Sequence, residues 1–175
     1  EVQRAHEVSF GRRVTPQYHW DQANVVLCLG GDPLAQSWST TETQRTFAAK
    51  RRPNADPMSR VYVFEPAPSL TGTNADYRYP VHPGHLLPLG LAIAHELLLG
   101  QNATGNGRLG RYAGEARVRG LLSAYTPEKV AADSGIDVAE IRRVAESLRE
   151  HAGHGIIYTN GAAAQTQDSM SLHLL

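Results

Sequence analysis

The six residues Asn24 to Leu29 (NVVLCL) are almost all apolar, and Gly30, Gly31, Asp32 and Pro33 follow at once. A run this short, without apolar/polar alternation and cut off by glycine and proline, reads as a strand buried on both faces that ends in a tight loop. The pattern returns at Arg60 to Glu65, where Val61, Tyr62, Val63 and Phe64 precede Pro66 and Pro68. β-Branched and aromatic side chains suit a pleated sheet and proline cannot continue one, so this is a second buried strand. Gly155 to Thr159 is a third candidate, and Tyr77 to Val81 a short edge strand. Strands covered on both faces need helices on both sides, which directs the chain to an α/β architecture.

The intervening segments supply those helices. Ser39 and Glu42 have the spacing of a reciprocal cap, which predicts a helix from Thr40 to Arg51, ended by Pro53 and Pro57. His82, Pro83 and Gly84 turn into Leu86 to Leu99, apolar on nearly every face and therefore expected to lie buried against the sheet. Thr126 followed by Pro127 is a cap with proline at the first helical position, and Asp137 with Glu140 repeats the capping arrangement. The helix after Asp137 places Val138, Ile141, Val144, Ala145 and Leu148 on one face, with His151 and His154 near its carbonyl end. Residues 100–114 carry five glycines and read as a Gly-rich surface loop within a single domain spanning 1–175. Another helix is expected after Asn160 and Gly161. This order predicts a Rossmann-like, doubly wound fold with a mainly parallel sheet, and such sheets bind ligands at the carboxyl ends of their strands.

Composition removes several functions. The chain has 175 residues, 17 Lys and Arg against 17 Asp and Glu, and 7% aromatic residues, which argues against a nucleic-acid binder. The longest apolar stretch, Leu86 to Ala94, is interrupted by Pro88 and Gly90 and is about half the roughly 20 residues that cross a bilayer. Cys28 is the single cysteine, so any iron-sulfur cluster is ligated outside these residues. His82, His85 and His95 share no helical spacing with an acidic or cysteine partner, so no metal site is expected. No serine stands in a Gly-x-Ser-x-Gly elbow, and no catalytic residue is assigned. Glu1 at the start and the apolar run Ser171 to Leu175 at the end read as the edges of a piece of a longer chain.

Candidate binding residues gather after the first two strands. Gly30, Gly31 and Asp32 form a loop where ligand phosphates could approach the backbone, or simply a strand-ending turn. Glu65 could accept hydrogen bonds from a nucleotide ribose, or be an exposed strand-end carboxylate. Its distance from Gly30 exceeds the roughly 20 residues of the dinucleotide fingerprint. Thr71 to Asp76 puts hydroxyls, an amide and a carboxylate in one turn, for which an Asx-type turn with an Asp76–Arg78 ion pair is the simplest account.

Val61 to Asp76 (VYVFEPAPSLTGTNAD), followed by Tyr79 to Gly84 (YPVHPG), resembles a segment of the dimethyl sulfoxide reductase-type molybdopterin oxidoreductases. The spacing from the acidic-Pro pair to Ala-Asp and on to Pro-Gly is what that family shows. Leu29 to Pro33 is similar to its Gly-x-Asn-Pro loop, and Tyr125 to Val130 and Ser134 to Arg142 to its Thr-Pro-Glu and Gly-Val-x-x-x-x-Ile elements, so the resemblance runs from about Asp21 to the end. Two charges of the cofactor-binding pattern are missing: Glu65, Pro66 and Ala67 replace Asp-Pro-Arg, and Pro83, Gly84, His85 and Leu86 replace Pro-Gly-Thr-Asp. Polar atoms of a buried ligand would lack partners there.

Arg45 to Ala48, Arg51 and Arg52, Met58 to Val63 and Leu70 to Arg78 look like the iron-sulfur B subunit of bacterial alternative complex III and its polysulfide reductase-like relatives. That resemblance implies a molybdopterin-like domain without its own cofactor, joined elsewhere to a ferredoxin-like part that holds iron-sulfur clusters. It also implies a membrane-bound respiratory complex that oxidises quinol, with this subunit peripheral on the periplasmic side of the inner membrane. The expected partners are the rest of the chain and the other subunits. A second reading is a working oxidoreductase whose molybdopterin guanine dinucleotide contacts Gly30, Gly31, Asp32, Glu65, Thr71 and Asp76. A third is a nucleotide-binding α/β module using Gly30 and Glu65.

Overall fold

The protein is described here from a computed structural model covering residues 2–37, 39–103, 113–161, 163 and 170–171. Four strands, β1 (Val25–Leu29), β2 (Arg60–Glu65), β3 (Tyr77–Pro80) and β4 (Gly155–Thr159), form one sheet in the order β3-β2-β1-β4. Every pair is parallel, with Val26 opposite Val61 and Leu27 opposite Ile157. The helices are α1 (Val2–Phe10), α2 (Pro33–Gln36), α3 (Thr40–Lys50), α4 (Leu70–Thr73), α5 (Leu86–Leu99), α6 (Ala116–Leu122), α7 (Pro127–Ser134) and α8 (Val138–Glu150).

The fold is α/β and doubly wound, as expected. From β1 the chain steps outward to β2 and β3, then returns through α5 to α8 and enters β4 on the other flank of β1. One face of the sheet, with Val25, Leu27, Leu29, Tyr62 and Phe64, packs under Leu86, Leu89, Ile93, Ile141 and Val144. The opposite face, with Val26, Cys28, Val61 and Val63, packs under Trp20, Leu34 and Phe47. All of β1 is buried, so its continuous apolar run reflects cover from both sides. Connections to its two neighbours leave in opposite directions, which puts the topological switch point at the carboxyl ends of β1 and β4.

Local chemistry explains most helix boundaries. Thr126 Oγ1 accepts from Lys129 N at 3.4 Å, Pro127 opens α7, and Gly135 closes it in the left-handed region at φ 75°. Asp137 Oδ1 accepts from Ala139 N at 2.9 Å and starts α8, but Glu140 does not reciprocate. Its carboxylate instead takes the Tyr79 hydroxyl and Arg143, and burial together with that carboxylate raises the Tyr79 phenol above its ordinary value. The expected Ser39–Glu42 box is also corrected. The Ser39 hydroxyl bonds the Glu42 carboxylate at 3.3 Å rather than a backbone N–H, and Thr43 N bonds the Ser39 carbonyl at 2.9 Å. Residues 104–112 of the expected Gly-rich loop, most of the helix expected after Gly161, and the run 172–175 lie outside the described residues. No described helix is long and apolar enough to cross a membrane.

Packing, capping and the buried phenols each set an expectation for stability. Ile141 is fully buried in the core, so Ile141→Ala is expected to cost about 2–5 kcal/mol by denaturant unfolding. Thr126→Ala, a lost cap, should cost only about 1 kcal/mol in the same assay. Tyr18 and Tyr158 meet at 5.4 Å between ring centres, and burial raises both phenols. The unfolded chain therefore releases these protons first, so their contribution is complete below about pH 10 and is lost as pH rises above it. A denaturation midpoint that is flat toward alkaline pH would contradict this.

Candidate functional site

At the switch point the glycines serve close approach of the chain to itself. Gly30 has φ 68°, and a Cβ there would stand 2.6 Å from Leu86 Cδ1 and 2.9 Å from the backbone N of Ala163. A Cβ on Gly31 would stand 2.5 Å from the Tyr158 ring, and one on Gly161, at φ 57°, would stand 3.0 Å from the Gly30 carbonyl oxygen. Only glycine lets the loop after β1 close against α5 and the loop after β4 in this way. Asn160 stiffens the second loop, its Oδ1 accepting from Gly161 N at 2.9 Å. The Asn-Gly pair after a strand is the sequence signal for that partner loop.

Asp32 stands just ahead of α2, yet its carboxylate reaches across to the first turn of α4. It accepts from Thr71 N at 3.0 Å, Leu70 N at 3.3 Å and Thr71 Oγ1 at 2.5 Å. Thr71, fully buried, passes the connection on by accepting from Leu34 N at 3.2 Å. The pair therefore fastens the β1 loop to the β2 loop. An acidic group at exposed helical N–H groups is favourable both as acceptor and as charge.

Glu65 ends β2 and is 3% exposed, so it is neither an open ribose acceptor nor a solvated strand-end carboxylate. Its Oε1 accepts from Ser69 N at 3.2 Å and from Arg78 Nε at 2.5 Å. A Cβ on Gly72 would lie 1.9 Å from the same oxygen, so a glycine at that place in α4 is what admits the buried carboxylate. Asp76 has a separate role. It accepts from Val61 N at 2.7 Å and Arg51 Nη1 at 2.5 Å, and Arg51 also donates to the carbonyls of Ser59 at 2.6 Å and Asn74 at 3.1 Å. The Asp76–Arg78 pair expected from sequence is thus replaced by two longer-range pairs, because the β2–β3 register directs Asp76 to β2 and Arg78 to Glu65.

The remaining polar candidates do not converge. His82 Nδ1 accepts from Gly84 N at 3.2 Å and caps the turn before α5, and the His82 and His85 rings are 6.0 Å apart. Among the described residues no group of three or more His, Cys, Asp or Glu is placed to hold a metal ion. The Cys28 thiol is fully buried and its pKa is raised by burial, which suits core packing rather than reactivity. A groove of about 430 Å³ lies instead between α5, α7 and α8, lined among others by His95, Thr126, Arg142 and Arg149. Arg142 there is already engaged by Glu128 and by Glu96 at 3.7 Å.

No family model matches the chain. It is 27% identical over 165 residues to the molybdopterin-binding-like subunit of menaquinone reductase from Nitratidesulfovibrio vulgaris, covering 90% of the chain and 23% of that protein. It is 31% identical over 124 residues to the probable oxidoreductase YoaE of Bacillus subtilis, covering 70% of the chain and 18% of that protein. Among solved structures, acetylene hydratase from Pelobacter acetylenicus matches with a TM-score of 0.73 at 18% identity, over 98% of the chain and 22% of the hydratase. The last likeness is one of fold. The chain thus spans less than a quarter of each of these proteins and forms part of a domain.

Stability should respond sharply at the Glu65 cluster. Gly72→Ala drives a methyl group into the buried carboxylate and is expected to cost about 3 kcal/mol. Glu65→Gln strips the partly buried Arg78 of its partner and is expected to cost about 2–3 kcal/mol, the exposed side of Arg78 moderating the loss. Chemical denaturation of both variants tests the assignment, and unchanged midpoints would refute the load placed on this pair.

Proposed function

The chain belongs to the molybdopterin oxidoreductase-like superfamily, and from that premise we propose that these residues are a scaffold segment, without a dinucleotide of their own, in an electron-transfer subunit. The observation that carries the reading is where the polar groups at the carboxyl ends of the strands are spent. Asp32 is taken by α4, Glu65 is buried on Arg78 and Ser69, and the Gly30 and Gly31 loop is packed against Ala163 and the Tyr158 ring. A molybdopterin guanine dinucleotide would have to displace these bonds to reach the same atoms. Breaking a buried ion pair without an equal replacement is costly. The substitutions Ala67 and Leu86, where the family's pattern carries Arg and Asp, act in the same direction. On this reading the six candidate residues Gly30, Gly31, Asp32, Glu65, Thr71 and Asp76 hold the loops together, and no reaction step runs through them.

The relative named as a menaquinone reductase subunit supports placing the parent protein in a multi-subunit, quinone-handling respiratory complex. Its redox centres would then be iron-sulfur clusters outside this segment, since Cys28 is the single cysteine here. The subunit would sit peripherally on the periplasmic side of the bacterial inner membrane, in the manner of the iron-sulfur B subunit of alternative complex III.

The test is elemental and nucleotide analysis of the intact parent protein, purified with its native partners. Iron without molybdenum, tungsten or guanine nucleotide is the expected result. Stoichiometric molybdenum or tungsten with released guanine nucleotide would overturn the scaffold reading and restore Glu65 and the Gly30 loop as cofactor contacts.

A further inference from the structure

Five of the six asparagines lie among the described residues, and the fold treats one of them differently. The N–H that follows each of the other four is tied to a main-chain carbonyl. Val25 N, after Asn24, bonds His154 at 3.4 Å, and Ala55 N, after Asn54, bonds Arg52 at 2.9 Å. Ala75 N, after Asn74, bonds Gly72 at 3.3 Å, and Ala103 N, after Asn102, bonds Gly100 at 3.0 Å. Gly161 N instead donates to the side chain of the residue before it, Asn160 Oδ1, at 2.9 Å. That contact folds the Asn160 carboxamide back over its own peptide bond and brings Gly161 N up to Cγ, the carbon that bears the oxygen. Holding a nucleophile against the carbon it attacks removes much of the entropic barrier to an intramolecular reaction.

The surroundings leave this pair open to reaction. Glycine has no Cβ to shield its nitrogen, and residue 161 sits at φ 57°, where a side chain would be strained. The Asn160 amide nitrogen is weakly held: among the described residues Nδ2 donates to the Tyr158 hydroxyl at 3.4 Å, whereas Asn74 Nδ2 donates to the Leu70 carbonyl at 2.8 Å. Asn160 and Gly161 are only half-buried, so water has access to both.

We propose that Asn160 is a spontaneous modification site, converting to aspartate and isoaspartate through a cyclic imide closed by Gly161. Gly161 N loses its proton to solvent base and bonds Asn160 Cγ. The Cγ–Nδ2 bond then breaks, and the nitrogen takes up a proton and leaves as ammonia. Water opens the ring on the Cγ side to give aspartate, or on the main-chain side to give isoaspartate. One water enters, one ammonia departs, and no oxidation state changes. Either product acts on the crevice at the carboxyl ends of the strands. Aspartate places a charge beside the Tyr158 hydroxyl, which already senses the Asp32 carboxylate. Isoaspartate lengthens the backbone of a loop in which a Cβ on Gly161 would already stand 3.0 Å from the Gly30 carbonyl and 2.7 Å from Gln36 Oε1. The proposal holds whether or not a dinucleotide binds, so the metal and nucleotide analysis neither supports nor weakens it.

Ageing the intact parent protein in mildly alkaline buffer, with peptide mapping by mass spectrometry and isoaspartate-specific enzymatic methylation, tests the assignment. In the native protein Asn160 should convert while Asn24, Asn54, Asn74 and Asn102 stay intact. Its rate should lie within about tenfold of the rate in the same protein aged in denaturant, or above it, because the fold holds the reacting atoms together. A native rate lower than that would overturn the proposal, since the fold would then protect Asn160. Native conversion at the other four asparagines as fast as at Asn160 would overturn it too.

Discussion

Everything else in the structure is arranged around the complete burial of β1. A five-residue strand with no exposed face cannot be stabilised by its own hydrogen bonds alone, because each side chain must find a packed partner and each backbone group a neighbour. β2 and β4 satisfy the backbone from the two flanks, and the two helical layers satisfy the side chains from above and below. Once β1 is enclosed in this way, its exit is the point where chain from both flanks meets. The crowding at Gly30, Gly31 and Gly161 follows from that topology and needs no ligand to explain it.

The same crowding decides the electrostatics. Asp32 and Glu65 leave the ends of adjacent strands, and each finds a different solution to desolvation. Asp32 uses the free N–H groups of a one-turn helix and the Thr71 hydroxyl, so its charge is met by hydrogen bonds. Glu65, more deeply buried, accepts one backbone N–H from Ser69 and adds a guanidinium from the neighbouring strand. Both solutions converge on α4, which has only four residues and would not hold its shape alone. Ser69 caps it, Asp32 faces its first turn and Glu65 bonds the N–H of its cap residue, so this short turn is held from three sides.

Much of the architecture was legible because it is written locally. Val25 to Leu29, Arg60 to Glu65 and Gly155 to Thr159 announce themselves by apolar runs with abrupt stops, and Leu86 to Leu99 by length and hydrophobicity. Thr126 and Asp137 cap their helices as expected, although Glu140 does not return a bond to Asp137. Long-range choices were less legible. Asp76 and Arg78 are neighbours in sequence, so a local pair is the natural reading, but strand register sends one to Arg51 and the other to Glu65. Ser39 and Glu42 have the spacing of a reciprocal cap, yet the Ser39 side chain turns to the carboxylate and leaves Thr43 N to the Ser39 carbonyl. The strand order and the exposed flank of Ile157 also have no local code, since an apolar strand looks the same in the centre of a sheet and at its edge.

The candidate site shows how a ligand-binding position can be recognised from sequence while its use stays hidden. Glycines after β1, an acid after β2 and a Thr-rich turn are the residue types that a dinucleotide site would employ, and the fold brings them to the carboxyl ends where such sites occur. The same residue types also suit a crevice that closes on itself. Glycine permits close approach to a phosphate or to a tyrosine ring, and a carboxylate accepts from a ribose or from an arginine. What separates the two uses is partner supply. Arg78 stands on β3 within reach of Glu65, and Thr71 within reach of Asp32, so the chain carries a counterpart for each acid. A site that supplies its own partners gains cohesion between β2, β3 and α4, and a ligand reaching the same atoms would have to replace those bonds, which is the physical basis of the scaffold proposal.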